Sequence, residues 1–253
     1  MIDFAKAEDT IGTVHYSGFV VLGDNTLLFL ADIDGDEDDL IGCLAKSSGP
    51  VFDAIFEHVQ NPPLTPVASN SEALLKWVKD HTTQPLTAYS ACENSSVQEI
   101  RSRARAAAFR GSSEQHSLLH YLHIKSNRKA FALQHVVLKA ALSKMKEGAD
   151  SIGTLHFAHF VPLPSNRLGF FAIFDGSFEK YTYDFAEKLG PVFDTLFEFV
   201  SDPPPTPVEK NPQAFYKWAV ANNLPPIGFY SAYPGLAVQD IKALLTDLKW
   251  GAA

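Results

Sequence analysis

Residues 152–163 read IGTLHFAHFVPL, and residues 11–22 read IGTVHYSGFVVL. The offset is 141, and it does not end there. It pairs Asp34-Gly35 with Asp175-Gly176, Gly49-Pro50 with Gly190-Pro191 and Phe52-Asp53 with Phe193-Asp194. It also pairs Trp77 with Trp218, and Tyr89-Ser90-Ala91 with Tyr230-Ser231-Ala232. Between Ile11 and Ile100 no gap is needed, and about 38 of 90 positions are identical. Chance gives far fewer, so the chain carries one unit twice.

One copy can be read into elements. Gly153–Leu163 alternates and is rich in β-branched and aromatic residues, which predicts a strand. Pro164-Ser165-Asn166 is turn chemistry, and Arg167–Phe174 predicts the second arm of a hairpin. Ser177–Leu189 has helical apolar spacing. Gly190-Pro191 is expected to break that helix and restart it. Pro203–Pro207 enforces an extended crossing, and Asn211-Pro212 opens a helix through Trp218. Ile227–Tyr233 predicts a third strand, and Ala237–Leu248 a closing helix. Upstream, Leu118–Ile124 is a short apolar run and Arg128–Lys146 reads as a helix. The second half therefore reads strand–helix–strand–strand–helix–strand, the ferredoxin-like order. The first copy has about ten residues before its hairpin, so its opening strand and helix are expected to be missing. The expected organisation is a truncated first repeat at 1–100, a basic linker helix at 101–116 and a complete second repeat at 117–253.

The chain has 253 residues and a formal charge of −8, with 46% hydrophobic residues. That is enough for an ordinary core, and the charge argues against free nucleic acid as a partner. The two cysteines, Cys43 and Cys92, form no CxxC motif or disulfide framework. With no basic-then-apolar leader at the N-terminus and no apolar run of membrane length, a cytoplasmic location is expected. Charge is uneven. Residues 101–146 hold ten Lys/Arg and one acid, Glu114. This segment either lies against acidic repeats or meets an anionic ligand.

The phrases GTLHFAHFVPL, LGFFAIFDGS and FYSAYPGLAVQDI resemble a bacterial family of tandem ferredoxin-like proteins of unsettled function, with the pattern HFARF…LLF…FDG…FYSAYP. The resemblance spans Leu118–Ile241 and, in reduced form, Ile11–Ile100. It implies an α+β fold, with tandem ferredoxin-like repeats forming an architecture of the dimeric α+β barrel type. At fold level this is similar to dye-decolorising peroxidases and chlorite dismutases, which implies haem between sheet and helices. The chain departs from those patterns. Of the peroxidases' GxxDG motif it keeps only Asp34-Gly35 and Asp175-Gly176. Where HFARF has arginine, it has His159 in one copy and Gly18 in the other.

Several residues are candidates for chemistry. His15 and His156 recur at equivalent strand positions. They read either as general bases or ligands, or as buried histidines bonded to backbone or carboxylate. His159 breaks the repeat, as specialised chemistry would, and lies on the strand face opposite His156. Tyr89 and Tyr230, in YSA, could donate from the last strands to a bound oxygen. His116, His120 and His123 lie in HSLLHYLH, which as a strand cannot converge on a metal. The DIDGDEDD run lacks the calcium-loop spacing and reads as a capping acidic turn.

Three functions follow as expectations. The first is a small-molecule oxidoreductase, peroxidase-like and haem-associated. Its axial ligand would be one of His120, His135, His156 or His159, with Arg128 in the basic segment near the propionates. The second is a cofactor-independent oxygenase or cyclase on an aromatic or polyketide-like substrate, with His159, His156 and Tyr230 as catalytic candidates. The third is a non-catalytic binding or accessory protein. A missing first strand would leave a sheet edge exposed, which predicts a homodimer, a partner protein or the basic linker covering it.

Overall fold

The computed structural model describes residues 4–133 and 138–246. The fold is α+β, with two antiparallel sheets. Among the described residues no helix is long and apolar enough to cross a membrane. The chain divides into two compact units. Unit 1 comprises the chain up to Thr82, with Ser95–Ser102 and Pro226–Tyr233. Unit 2 comprises Thr83–Asn94, Arg103–Pro225 and the chain from Pro234.

In unit 1, helix α1 (Phe4–Ile11) precedes a hairpin of β1 (Val14–Val21) and β2 (Leu27–Ile33). The hairpin turns through Asn25, whose positive φ suits an asparagine. Helices α2 (Glu37–Phe56) and α3 (Ser71–His81) follow. Phe4 packs its ring 5.5, 5.8 and 5.6 Å from those of Phe19, Phe29 and Phe52. This ties α1 to the hairpin and to α2. The acidic DIDGDEDD run supplies the N-cap of α2, Asp36, and places Glu37, Asp38 and Asp39 in its first turn. Anionic side chains are favourable at that end of a helix dipole.

Unit 2 holds β3 (Thr87–Ser90), β4 (Gln115–His123), α5 (Asn127–Ala132) and α6 (Leu138–Ile152). After these come the hairpin β5 (Leu155–Leu163) and β6 (Arg167–Asp175), then α7 (Phe178–Phe197) and α8 (Pro212–Asn222). The last strand, β7 (Ile227–Ser231), belongs to unit 1, and the last helix, α9 (Val238–Thr246), to unit 2. Phe160, Phe170, Phe185, Phe193 and Phe197 make the centre of unit 2's core. Helix α4 (Val97–Ala106) opens in unit 1.

The strand order differs from the expected one. A ferredoxin-like sheet seats its last strand beside its first, which would put β7 beside β4. Instead the orders are β2-β1-β7 and β3-β5-β6-β4. Each third strand has joined the other copy's hairpin, so β3 pairs with β5 and β7 pairs with β1. Contiguous boundaries at 100 and 117 do not describe this exchange. Other differences are local. The first copy does have a helix before its hairpin, α1, and among the described residues no strand precedes that helix. Helix α7 runs through Gly190-Pro191 without ending. The helix expected over 128–146 is two pieces, α5 and α6, with 134–137 outside the described residues. The segment expected as a linker helix at 101–116 is the end of α4, a turn and the start of β4.

The recurring phrases hold recurring bonds. The carboxylate of Asp53 accepts the Val67 N–H at 2.9 Å, and Asp194 accepts that of Val208 at 2.9 Å. Gly49 and Gly190 leave room for the segment so tethered: a Cβ there would meet Ala68 at 3.1 Å or Val208 at 3.3 Å. The Trp77 indole donates to the Asn61 carbonyl, and that of Trp218 to the Asp202 carbonyl.

Candidate functional site

His15 and His156 each sit at a β-bulge. The β1–β2 register passes from Val14↔Ile33 to Tyr16↔Asp32, leaving His15 as the extra residue. The β5–β6 register passes from Leu155↔Phe174 to Phe157↔Ile173, leaving His156. A bulge re-aims the side chain it carries. Nε2–H of His156 donates to Asp175 Oδ1 at 2.7 Å, and Asp175 Oδ2 accepts the Val238 N–H that opens α9, also at 2.7 Å. In unit 1, Nε2–H of His15 donates to Asp34 Oδ1 at 2.8 Å, and Asp34 Oδ2 accepts the Val97 N–H that opens α4. The Asp-Gly pair thus clamps a bulge histidine to a helix N-terminus in both units. Gly35 and Gly176 follow at a φ of +81°, which a side chain would strain. In unit 1 the chain of bonds is longer: Tyr233 O–H donates to His15 Nδ1 at 2.7 Å. The residue 141 positions before Tyr233 is Cys92, so this phenol belongs to unit 1 alone.

Unit 2 also holds a cavity of about 60 Å³. Leu155, Phe160, Phe170, Leu189 and Phe193 line its apolar part, and Ala149 and Ala158 leave the space that their short side chains do not fill. Its polar side is built by Tyr89, Glu93 and Lys146. Tyr89 O–H donates to Asp150 at 2.9 Å, and the Lys146 ammonium lies 3.1 Å from Glu93 and 5.5 Å above the Tyr89 ring. Burial pushes the Tyr89 phenol well above its ordinary range, helped by the bond to Asp150 and the charges of Asp150, Cys92 and Glu93. Tyr89 is therefore a hydrogen-bond donor here and not a base.

The same location in unit 1 has different chemistry. Glu8 stands where unit 2 has Ala149, and Ser17 where it has Ala158. Glu8 is fully buried on α1, and its Oε1 accepts a short hydrogen bond from the Ser17 hydroxyl. Burial pushes the Glu8 carboxyl up to about 7, against a smaller opposing effect of the Ser17 bond. Also in unit 1, Arg101 pairs with Asp9 and donates to the Ala232 carbonyl at 2.7 Å and to the Tyr230 hydroxyl at 3.1 Å. Burial raises the Tyr230 phenol; Arg101 opposes this, while Asp9 and Glu8 add to it.

Of the expected site residues, Tyr230 belongs to unit 1; His120, Arg128, His156 and His159 belong to unit 2. His159 is half-buried on β5, in register with Ala88 and Phe171, with its ring stacked on Phe157. His120 is buried on β4 and donates from Nε2 to the Ala219 carbonyl at 2.9 Å; burial lowers it to about 4. Arg128 is exposed in the first turn of α5. His135 lies outside the described residues. Among the described residues no three metal-ligating side chains converge.

A haem would need a histidine nitrogen facing space for a macrocycle. The cavity beside His120 is about 10 Å³, room for roughly one water. The Nε2 atoms of His120 and His156 are already committed to a carbonyl and a carboxylate. Neither His120 nor His156 therefore fits as a haem's axial ligand.

Comparison with known proteins found no matching family model, no matching curated protein and no matching solved structure.

Glu8, Ser17 and Tyr233 were not among the residues the sequence singled out for chemistry. One signal was available for the first two. They break the repeat at core-facing positions, the criterion that singled out His159.

Proposed function

We propose that this chain is a small-molecule binding protein whose ligand places an apolar end in the cavity of unit 2 and a polar end at its rim. The supporting observation is that cavity: a phenylalanine-rich floor under a rim of Tyr89, Glu93 and Lys146. Ligand sites are commonly of this kind, mostly apolar with a few placed polar groups. At about 60 Å³ the space is well under the ~150 Å³ that admits benzene. It suits a short alkyl end and not a macrocycle. A carboxylate head would compete with Glu93 for Lys146. Of the three expected functions this is the non-catalytic one.

The test is a calorimetric titration with straight-chain carboxylates from propionate to hexanoate, and with the matching alcohols. Saturable binding that rises with chain length and then stops is expected, as is its loss in Ala158→Phe, which fills the cavity. Absence of saturable binding across the series would end this reading. We further propose that a second copy pairs along β2. The equivalent strand in unit 2, β6, carries β4 on its outer edge, whereas β2 carries no strand there among the described residues.

A further inference from the structure

The residues that line the unit 2 cavity have diverged from their counterparts in unit 1, and the divergence points to a second site. In unit 2 the space is bounded by Ala149, Ala158 and Leu189 over phenylalanines 160, 170 and 193. At the corresponding positions unit 1 keeps all three phenylalanines, as Phe19, Phe29 and Phe52, but replaces the others with Glu8, Ser17 and Ser48. Three apolar side chains have become three polar ones on an unchanged aromatic floor.

The polar atoms are not all paired with each other. Glu8 Oε1 takes the Ser17 hydroxyl, but Glu8 Oε2 is buried without a hydrogen-bond partner, and so is the hydroxyl of Ser48. Both residues are fully buried. Ser48 is also the residue of α2 that leaves helical geometry, at φ −127° and ψ 15°. Buried polar groups are nearly always bonded, and one left unmade costs roughly 1–3 kcal/mol. Arg101, on the first helical turns of α4 in the same unit, is engaged by Asp9, Ala232 and Tyr230.

We propose that unit 1 holds a site for a small neutral hydroxylic or amide molecule, bound between Glu8 Oε2 and Ser48 Oγ over the floor of Phe19, Phe29 and Phe52. Neutrality follows from the buried aromatic surroundings: an anion would find no unengaged cation there among the described residues, and a cation would require ionising a carboxyl whose neutral form burial favours. A hydroxyl or amide offers both a donor and an acceptor, which suits a carboxyl and a serine that each lack one bond. This site is independent of the cavity in unit 2.

The experiment is carboxyl ¹³C NMR on glutamate-labelled full-length protein. The Glu8 resonance is assigned by its loss in Glu8→Gln, and 1-propanol and acetamide are the probes. A saturable shift of that resonance is expected with at least one probe. Ser48→Leu installs the residue that unit 2 carries at this position and is expected to abolish saturation. If Ser48→Leu does not fold, Ser48→Ala removes the hydroxyl without adding bulk, and about tenfold weaker binding is expected. A shift that only grows linearly with both probes, or a saturable one unchanged in the serine variants, would overturn the proposal.

Discussion

Glu8 gives the protein a stability term that runs against the usual behaviour of a carboxylate. Its carboxyl has an ordinary value of 4.5 and is pushed up to about 7 by burial on α1. Between those values the native state holds a proton that the unfolded chain has released. Stability therefore falls as pH rises through that window, is unaffected by this group below it, and stays at the lower level above it. At ~1.4 kcal/mol per tenfold change in proton affinity, the full loss is about 3 kcal/mol. Tyr230 on β7 is raised further from neutrality, and Arg101 on α4 is paired with Asp9 on α1. The assay is urea unfolding of wild type and Glu8→Gln at pH 4.5 and pH 8, with hydrogen exchange of β1 peptides as the local readout in unit 1. Other titrating groups are common to both proteins and drop out of the difference. The expected result is that wild type loses about 3 kcal/mol relative to Glu8→Gln on going to pH 8. A difference independent of pH would show that Glu8 ionises freely in the fold, and the reasoning from its burial would be wrong.

Three further outcomes are expected. His120 is lowered to about 4 from its ordinary 6.5, so it stays neutral in the fold while the unfolded chain protonates. Stability is lost as pH falls from 6.5 to 4, by about 3 kcal/mol, and His120→Gln should lack that loss in the same unfolding assay. Removing the clamp carboxylate should cost more in unit 2 than in unit 1, because the Asp175 side chain is 6% exposed and that of Asp34 is 27%. Calorimetry of Asp175→Ala and Asp34→Ala should find losses of about 3 and about 1.5 kcal/mol, and equal losses would contradict the burial argument. Light scattering at micromolar concentration should give a dimer for wild type and a monomer for Leu27→Lys, which puts a charge on the open β2 edge; a monomeric wild type would remove the dimer.

The legible part of this fold was whatever is local. Alternation marked both hairpins, and the Asp-Gly pair marked their ends, because strand period and turn chemistry act over a few residues. The partners of the third strands were not legible for a physical reason. The two YSA strands are alike, and each hairpin offers the same bond: Ala91 donates to the His156 carbonyl and Ala232 to the His15 carbonyl, both at 2.9 Å. A strand that fits either edge equally says nothing about which edge it takes. Helix α1 was missed because eight residues make a weak periodic signal. Glu8 sits in FAKAEDTI, where an acid reads as solvated face until tertiary packing buries it.

The duplication itself separates architecture from chemistry. Two copies of one framework must solve the same folding problem, so bonds present in both are accounted for by the fold. That covers the histidine–aspartate clamps, the Asp53 and Asp194 tethers, and the paired tryptophan indoles. A repeated histidine needs no substrate to explain it, since a bulge residue bonded to a helix-capping carboxylate already has a role. Where the copies differ on the surface, solvent tolerates almost anything. Where they differ inside, at Glu8 against Ala149, Ser17 against Ala158 and Ser48 against Leu189, the change costs desolvation of polar groups that the other copy shows to be unnecessary for folding. Folding alone gives no reason to carry that cost, which is why the interior differences, and not the repeated histidines, are where function is to be sought.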